Sequence, residues 1–128
     1  MKKTIQTDKA PKAIGPYSQA IDVNNTLYVS GQVPIDPSTN EVVPGGIREQ
    51  TVQVLKNIST ILSAAGYNLS DVVKISCILT DMQNFADMNE VYATYFIKDF
   101  PARVTFQAVA LPRKVMVEMD VIAVKHFD

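Results

Sequence analysis

The sequence predicts a single α+β domain, residues 1–128, in which a mixed sheet of five or six strands carries two helices on one face. Three observations predict it. The chain has 128 residues, of which 47% are apolar and 20% charged, as is typical of one globular domain. Several segments alternate apolar and polar residues with the period of a strand. Two others have the longer apolar period of an amphipathic helix.

A β-hairpin is predicted at residues 18–35. Two alternating runs flank Asn24-Asn25, a pair that tolerates the positive φ of a tight turn. Ser30-Gly31-Gln32 interrupts the second run, and glycine inside a strand is typical of a bulge or of close approach by a ligand. The segment 34–46 contains three prolines and two glycines and is predicted to be a loop.

The rest of the chain continues the alternation of helices and strands. The predicted elements are a helix at 47–65, a strand at 72–80, a helix at 84–96, and strands at 102–111 and 115–125 joined by a turn at 112–114. The predicted order of elements is β-β-β-α-β-α-β-β, and the segments named above supply five of its six strands. Because two helices can cover only one face of such a sheet, the second face needs another partner.

Alternation along the last two strands assigns residues to that second face. Its expected polar members are Arg103, Thr105, Gln107, Glu118 and Asp120, and its apolar members are Val109, Leu111, Met116, Ile122 and Val124. Such a face is too apolar for plain solvent exposure. We expect it to pack against copies of the same chain.

Composition excludes several classes of function. The net charge of −1 opposes a nucleic-acid-binding module, which needs a basic patch. No apolar run is long enough to span a membrane, and the N-terminus lacks the apolar stretch of a signal peptide, so a cytoplasmic location is expected. The one cysteine, Cys77, and the one histidine, His126, cannot form a structural zinc site. We expect Cys77 in the core and His126 in a solvated tail.

Arg103 and Glu118 are the strongest candidates for chemistry. Arg103 begins a strand, and its planar fork suits a carboxylate; the alternative is an exposed arginine at the sheet edge. Glu118 lies mid-strand, where a carboxylate is costly to desolvate unless it is useful or paired. It is either a general acid/base that activates water, or a residue of a solvated strand face, or the partner of Arg103 or Lys114 in a structural ion pair.

The predicted register separates these two candidates within one chain. A turn at 112–114 would place Glu118 opposite residue 107 or 108, roughly 13–17 Å along the strand from Arg103. If the two groups share a small substrate, we expect them to come from different subunits.

Two loop features are further candidates. Ser30-Gly31 offers a hydroxyl and an approachable backbone N–H, with a simple β-bulge as the alternative. Tyr17 lies on an irregular loop, where it either lines a site or anchors the loop on the core.

Five short motifs then follow one another along the chain. They are AIGPYSQA at 13–20, VSGQVP at 29–34, PAR at 101–103, ALP at 110–112 and VEMDVIA at 117–123. In this order they resemble the RidA family of reactive intermediate deaminases, also called the YjgF family. The similarity extends over essentially the whole chain and includes Asn57, Asp81, Phe85, Asn89 and Tyr92.

The resemblance implies a chorismate-mutase-like fold that assembles as a homotrimer around a central barrel, with sites between subunits. It also implies hydrolysis of reactive enamines and imines, such as 2-aminoacrylate and 2-aminocrotonate, to 2-oxo acids and ammonia. These substrates leak from pyridoxal-phosphate-dependent dehydratases. No metal or organic cofactor is implied for the reaction itself.

The resemblance also implies roles for residues of this chain. Arg103 would hold the substrate carboxylate, and Glu118 would position or activate water. Gly31 and Thr105 would hydrogen-bond the ligand through their backbone, and the pocket would be shaped by Tyr17, Ser30, Asn89 and Pro112. Thr105 stands where many relatives have cysteine, which bears on substrate preference.

Two other functions stay open at this point. Arg103 could capture a small carboxylate in a ligand-sensing protein without turnover. A ribonuclease or translation inhibitor is a further role reported in this family, and the net charge of −1 weighs against it.

Overall fold

Eight strands and two helices form within residues 1–125, the part of the chain that the computed structural model describes. They are β1 (Lys3–Ile5), β2 (Ala20–Val23), β3 (Thr26–Gln32), β4 (Ile35–Asp36), β5 (Glu41–Val42), α1 (Ile47–Ala64), β6 (Val72–Leu79), α2 (Phe85–Tyr95), β7 (Ala102–Gln107) and β8 (Val117–Val124). His126, the predicted tail residue, lies outside the described residues. In the described part, neither helix is long and apolar enough to cross a membrane.

Six of these strands form one mixed sheet in the order β1-β2-β3-β8-β6-β7. β6 and β7 are parallel, and the other neighbours are antiparallel. Asn24 and Asn25 adopt positive φ in the tight turn between β2 and β3, as predicted. The α+β class, the mixed sheet and the order of elements are therefore confirmed. The segment predicted as a loop additionally contains the small hairpin β4–β5.

The predicted pairing of the last two strands is wrong. β6 lies between β7 and β8, so residues 112–114 form a short turn that leads from one side of β6 to the other. α2 provides the crossover that a parallel β6–β7 pair requires. β7 also ends at Gln107 rather than at residue 111, and Val109 beyond it is fully exposed.

The predicted face of Arg103, Thr105 and Gln107 is also wrong. In the parallel register these residues lie beside Ile75, Cys77 and Leu79, which are fully buried beneath the helices. Their side chains therefore share the helix-covered face. The alternation itself is correct, but β7 is an edge strand, most of whose residues are exposed, so its pattern did not distinguish the two faces.

The open face of the sheet is formed by the other set of residues. Glu118, Asp120 and Ile122 of β8 lie beside Ile78, Ser76 and Lys74 of β6. Val104 and Phe106 of β7 extend this surface, as does Tyr28 of β3, and these three side chains are 42–48% exposed. Met116, predicted for this face, precedes β8 and packs against the core instead.

The core lies between the helices and the covered face. Leu55, Ile58 and Leu62 form an apolar stripe along α1, and each of these residues is at most 1% exposed. Cys77 is fully buried in the same core, as predicted. Gly66 adopts a positive φ just after α1, a conformation that suits glycine at the end of a helix.

Asn57 of α1 connects this core to the chain that follows β3. Its side chain is 1% exposed. Its Nδ2 group donates to the carbonyls of Val33 and Ile35, at 3.1 and 3.0 Å, and its Oδ1 accepts from Gln53. One buried amide therefore donates to two carbonyl groups, of which that of Val33 also accepts from the backbone N–H of Ile35.

We expect Asn57→Ala to lower the free energy of unfolding by about 2–4 kcal/mol, because the carbonyls of Val33 and Ile35 each lose a buried hydrogen bond. Denaturant titration at matched protein concentration measures this change. Gln53→Ala is the control, since it removes one partly buried hydrogen bond and should cost about 1 kcal/mol. Equal effects of the two substitutions would contradict this role for Asn57.

Candidate functional site

Arg103 lies at the start of β7, where its side chain reaches α2. The Nη1 group donates a 2.7 Å hydrogen bond to Oδ1 of Asn89. The guanidinium carbon lies 4.7 Å from the ring centre of Tyr92 and 5.6 Å from that of Phe85. Among residues 1–125, ion pairs form only between Arg48 and the pair Asp87 and Glu90. The charge of Arg103 is therefore not neutralised by a carboxylate of the described chain.

A cavity of 450 Å³ opens beside this guanidinium. It is lined by Asn89, Tyr92, Phe96, Phe100, Pro101 and Arg103. The cavity combines apolar walls with one cation and one amide, which is the composition of a site for a small organic acid.

Thr105 lies two residues after Arg103 on the same face of β7, beside Cys77. Its Oγ1 is buried, and no hydrogen-bond partner for it exists in the described chain. Burial raises the pKa of the Cys77 thiol to about 11, so this thiol stays protonated near neutral pH. Cys77 is thus a core residue and not a nucleophile.

Glu118 lies on the open face, next to Gly31. Burial, and secondly the charge of Asp120, raise the pKa of the Glu118 carboxyl above its usual value. A Cβ atom at Gly31 would overlap Oε2 of this carboxyl group. Gly31 is therefore the residue that allows the carboxylate to lie against the backbone of β3.

A bulge explains how Gly31 comes to lie there. The register between β3 and β8 shifts between Val29 and Gln32, as the interruption at Ser30-Gly31 predicted. The Ser30 hydroxyl donates a 2.6 Å hydrogen bond to the carbonyl of Ser18. Ser30 therefore holds the preceding loop, and Gly31 faces the carboxylate.

A second cleft, of 290 Å³, adjoins Gly31. Its lining includes Lys12, Tyr17, Gly31, Asn40, Pro112 and Arg113. It brings together three predicted site residues from distant parts of the chain. Tyr17 is 54% exposed, so it lines this cleft and does not serve as an anchor on the core.

The predicted site residues thus fall into two groups within one chain. Arg103, Asn89 and Thr105 lie on the helix-covered face, whereas Glu118 lies on the open face beside Gly31. Arg103 lies opposite Ile75 of β6, and Glu118 lies opposite Ile78. The two positions are therefore separated by roughly 10 Å along the strand direction. No tight Arg103–Glu118 pair can form across a sheet within one subunit.

Comparison with known proteins identifies the family. A family model described as Endoribonuclease L-PSP matches residues 7–125. The chain belongs to this family, the YjgF/RidA family. A RutC family protein of Pyrococcus horikoshii is 55% identical over 126 residues, covering 98% of this chain and 100% of the relative.

Two further RidA-family proteins bear on function and fold. The 2-iminobutanoate/2-iminopropanoate deaminase of Mus musculus is 51% identical over 125 residues, covering 98% of this chain and 93% of the relative. A crystal structure from Thermotoga maritima, described as a putative endoribonuclease, matches with a TM-score of 0.97 and 52% identity, covering 99% and 100% of the two chains. The resemblance seen in the sequence is therefore confirmed.

Sequence reasoning missed the aromatic contacts of Arg103. Tyr92, which is 6% exposed, belongs to the core as well. Phe85, Asn89 and Tyr92 are spaced by four and three residues, so they share one face of α2. That spacing was the available indication that three different side chains meet one partner.

The raised pKa of Glu118 makes the stability of the protein pH-dependent. Because the folded state binds this proton more tightly than the unfolded state, ionisation of Glu118 lowers stability as the pH rises from 4.5 through the raised pKa. We expect Glu118→Gln to raise the melting temperature at pH 7, with a gain that fades below pH 4.5.

Glu49 provides the control, because the hydrogen bond from the Gly46 N–H lowers the pKa of its carboxyl. Glu49→Gln should therefore shift the melting temperature at pH 7 in the opposite direction. A destabilised Glu118→Gln at pH 7 would contradict the assignment of a desolvated carboxyl.

We expect Gly31→Ala to lower the free energy of unfolding by about 1–3 kcal/mol, because its methyl group meets the Glu118 carboxylate. In a Glu118→Ala background the same substitution should cost much less. Denaturant titration of the four proteins of this cycle measures the coupling. Additive effects would show that Gly31 is needed for some other reason.

Proposed function

We propose that this chain is an imine deaminase, a hydrolase that converts 2-iminobutanoate, 2-iminopropanoate and their enamine forms to 2-oxo acids and ammonia. The observation that carries the proposal is Arg103, a cation that faces a small cavity and has no anionic partner among residues 1–125. The mouse relative, which is 51% identical, is named a 2-iminobutanoate/2-iminopropanoate deaminase, and this supports the same reaction.

Arg103 binds the substrate carboxylate in this proposal. A guanidinium presents paired N–H groups that match the two oxygens of a carboxylate, and such charge-assisted bonds are the stronger ones. Asn89 occupies one N–H group, which leaves others for the ligand. The buried Thr105 Oγ1, together with the backbone of Thr105 and of Gly31, supplies further hydrogen bonds, and Tyr17, Ser30 and Pro112 shape the pocket.

Glu118 positions the attacking water and carries a proton. Water adds to the carbon of the C=N bond, and one water proton passes through the carboxyl group to nitrogen, which gives a carbinolamine. The hydroxyl proton then passes to the amine by the same carboxyl group, the C–N bond breaks as the C=O bond forms, and ammonia leaves. A carboxyl group with a raised pKa exchanges a proton more readily near neutral pH. Proton transfer of this kind contributes about 10²–10⁴-fold, and positioning contributes several kcal/mol. The reaction requires no metal or organic cofactor.

The active site is completed by a second copy of the chain. Arg103 and Glu118 lie on opposite faces of the sheet within one chain, so one small substrate contacts both only when they belong to different subunits. The open face offers exposed Tyr28, Val104 and Phe106 for such an assembly, in keeping with the homotrimer that the resemblance implies.

Two alternatives become outcomes of the test. A ligand-sensing protein would use Arg103 to bind a carboxylate without accelerating hydrolysis. The description of the family model suggests an endoribonuclease, but the net charge of −1 gives little attraction for a polyanion.

A coupled assay tests the activity. A threonine dehydratase generates the imine, and the appearance of 2-oxobutyrate is followed under conditions where spontaneous hydrolysis limits the rate. We expect wild-type protein to accelerate this step, Arg103→Ala to abolish the effect, and Glu118→Gln to lower it by about 10²-fold or more. Arg48→Ala removes an exposed arginine from the same protein and is the matched control. Carboxylate binding without acceleration would favour the ligand sensor instead.

Subunit mixing tests the shared site. Arg103→Ala and Glu118→Gln proteins are unfolded and refolded together in equal amounts. If each site takes Arg103 from one subunit and Glu118 from its neighbour, random assembly restores both groups in about one quarter of the sites. Mixtures that stay as inactive as either variant would show that the two groups do not act across an interface.

A further inference from the structure

We infer that Phe85 and Tyr92 are positioning residues, which hold the Arg103 guanidinium between two aromatic rings without neutralising its charge. The two residues lie seven positions apart on α2, roughly 10 Å along the helix axis. The guanidinium carbon is 5.6 and 4.7 Å from their ring centres, within the distance at which a cation is attracted to an aromatic face. It therefore lies over the turn between them, which is where Asn89 accepts its hydrogen bond.

This arrangement differs from the usual way of fixing an arginine. A carboxylate partner would orient the guanidinium equally well, but it would compete with the carboxylate of a ligand. Aromatic rings and a neutral amide attract the cation and carry no formal charge. Burial raises the pKa of Tyr92 to about 12, so its phenol also stays neutral near physiological pH.

The contacts of Phe85, Asn89 and Tyr92 with Arg103, called the clamp below, also reduce the conformational freedom of the long arginine side chain. The arginine side chain has many rotamers, and a ligand must otherwise restrict that motion when it binds. With Phe85, Asn89 and Tyr92 in contact, the side chain is ordered before the ligand arrives. The unoccupied N–H groups are then available to the cavity that Arg103 lines.

This inference rests on the proposed role of Arg103 as the carboxylate-binding residue. Its first test changes the electron density of one ring without changing its size. Phe85 is replaced site-specifically by phenylalanines with one, two and three ring fluorines, which progressively weaken the negative face of the ring. Calorimetry with 2-oxobutyrate measures binding, and the dehydratase-coupled assay measures KM and kcat.

We expect the Kd for 2-oxobutyrate and the KM to rise stepwise with fluorination, whereas kcat and the melting temperature change little. A Kd that is constant across the series, with Arg103→Ala still abolishing binding, would overturn the clamp and leave the proposed function intact. Binding that does not depend on Arg103 at all would instead overturn the proposed function.

The second test uses ordinary substitutions on α2. Tyr92→Phe keeps the ring and should change the Kd less than about twofold, whereas Tyr92→Leu should raise it by about 3- to 30-fold. Tyr95→Leu is the matched control, because Tyr95 is on the same helix and packs against the core but lines a different cavity. Equal effects of Tyr92→Leu and Tyr95→Leu on the Kd would show that Tyr92 acts only through the stability of the helix.

Discussion

Burial of one face of the sheet beneath two helices is the constraint on which the other features depend. α1 packs against β8 and β3, α2 lies beside α1, and the core forms on the face of the sheet that the helices cover. Because α2 connects parallel neighbours, β7 is added at the sheet edge next to β6. That position brings the first residues of β7 against α2, and Arg103 therefore contacts the Phe85–Asn89–Tyr92 face of this helix.

The same constraint leaves the second face of the sheet uncovered. Along each strand, the residues of this face alternate with residues of the core. They include Glu118, with its carboxyl group, and exposed aromatic residues. Exposure of such apolar side chains to water is unfavourable, and large apolar patches favour association. The assembly proposed above would meet two needs at once, since it would cover this surface and bring Glu118 near Arg103 of another copy.

Periodicity predicted most elements of this fold because it reports local burial. The stripe of α1, the positive φ of Asn24 and Asn25, and the interruption at Gly31 are all local properties of the chain. Strand order is not local, and nothing in the alternation of residues 102–125 shows that β6 lies between the last two strands. The face of Arg103 was misassigned for a related reason, since both faces of an edge strand meet solvent. Gly31 predicted a close approach, but only the sheet register identified Glu118 as the group that approaches.

The buried thiol of Cys77 has a consequence for a protein that handles electrophiles. The electrophilic carbon of an imine is attacked readily by a thiolate, and the one cysteine of the sequence is kept protonated and away from solvent. Cys77 therefore presents no thiolate that a small electrophile could modify. Under the proposed function, this inertness of the surroundings, as much as reactivity of the site, would let the protein survive repeated contact with imines.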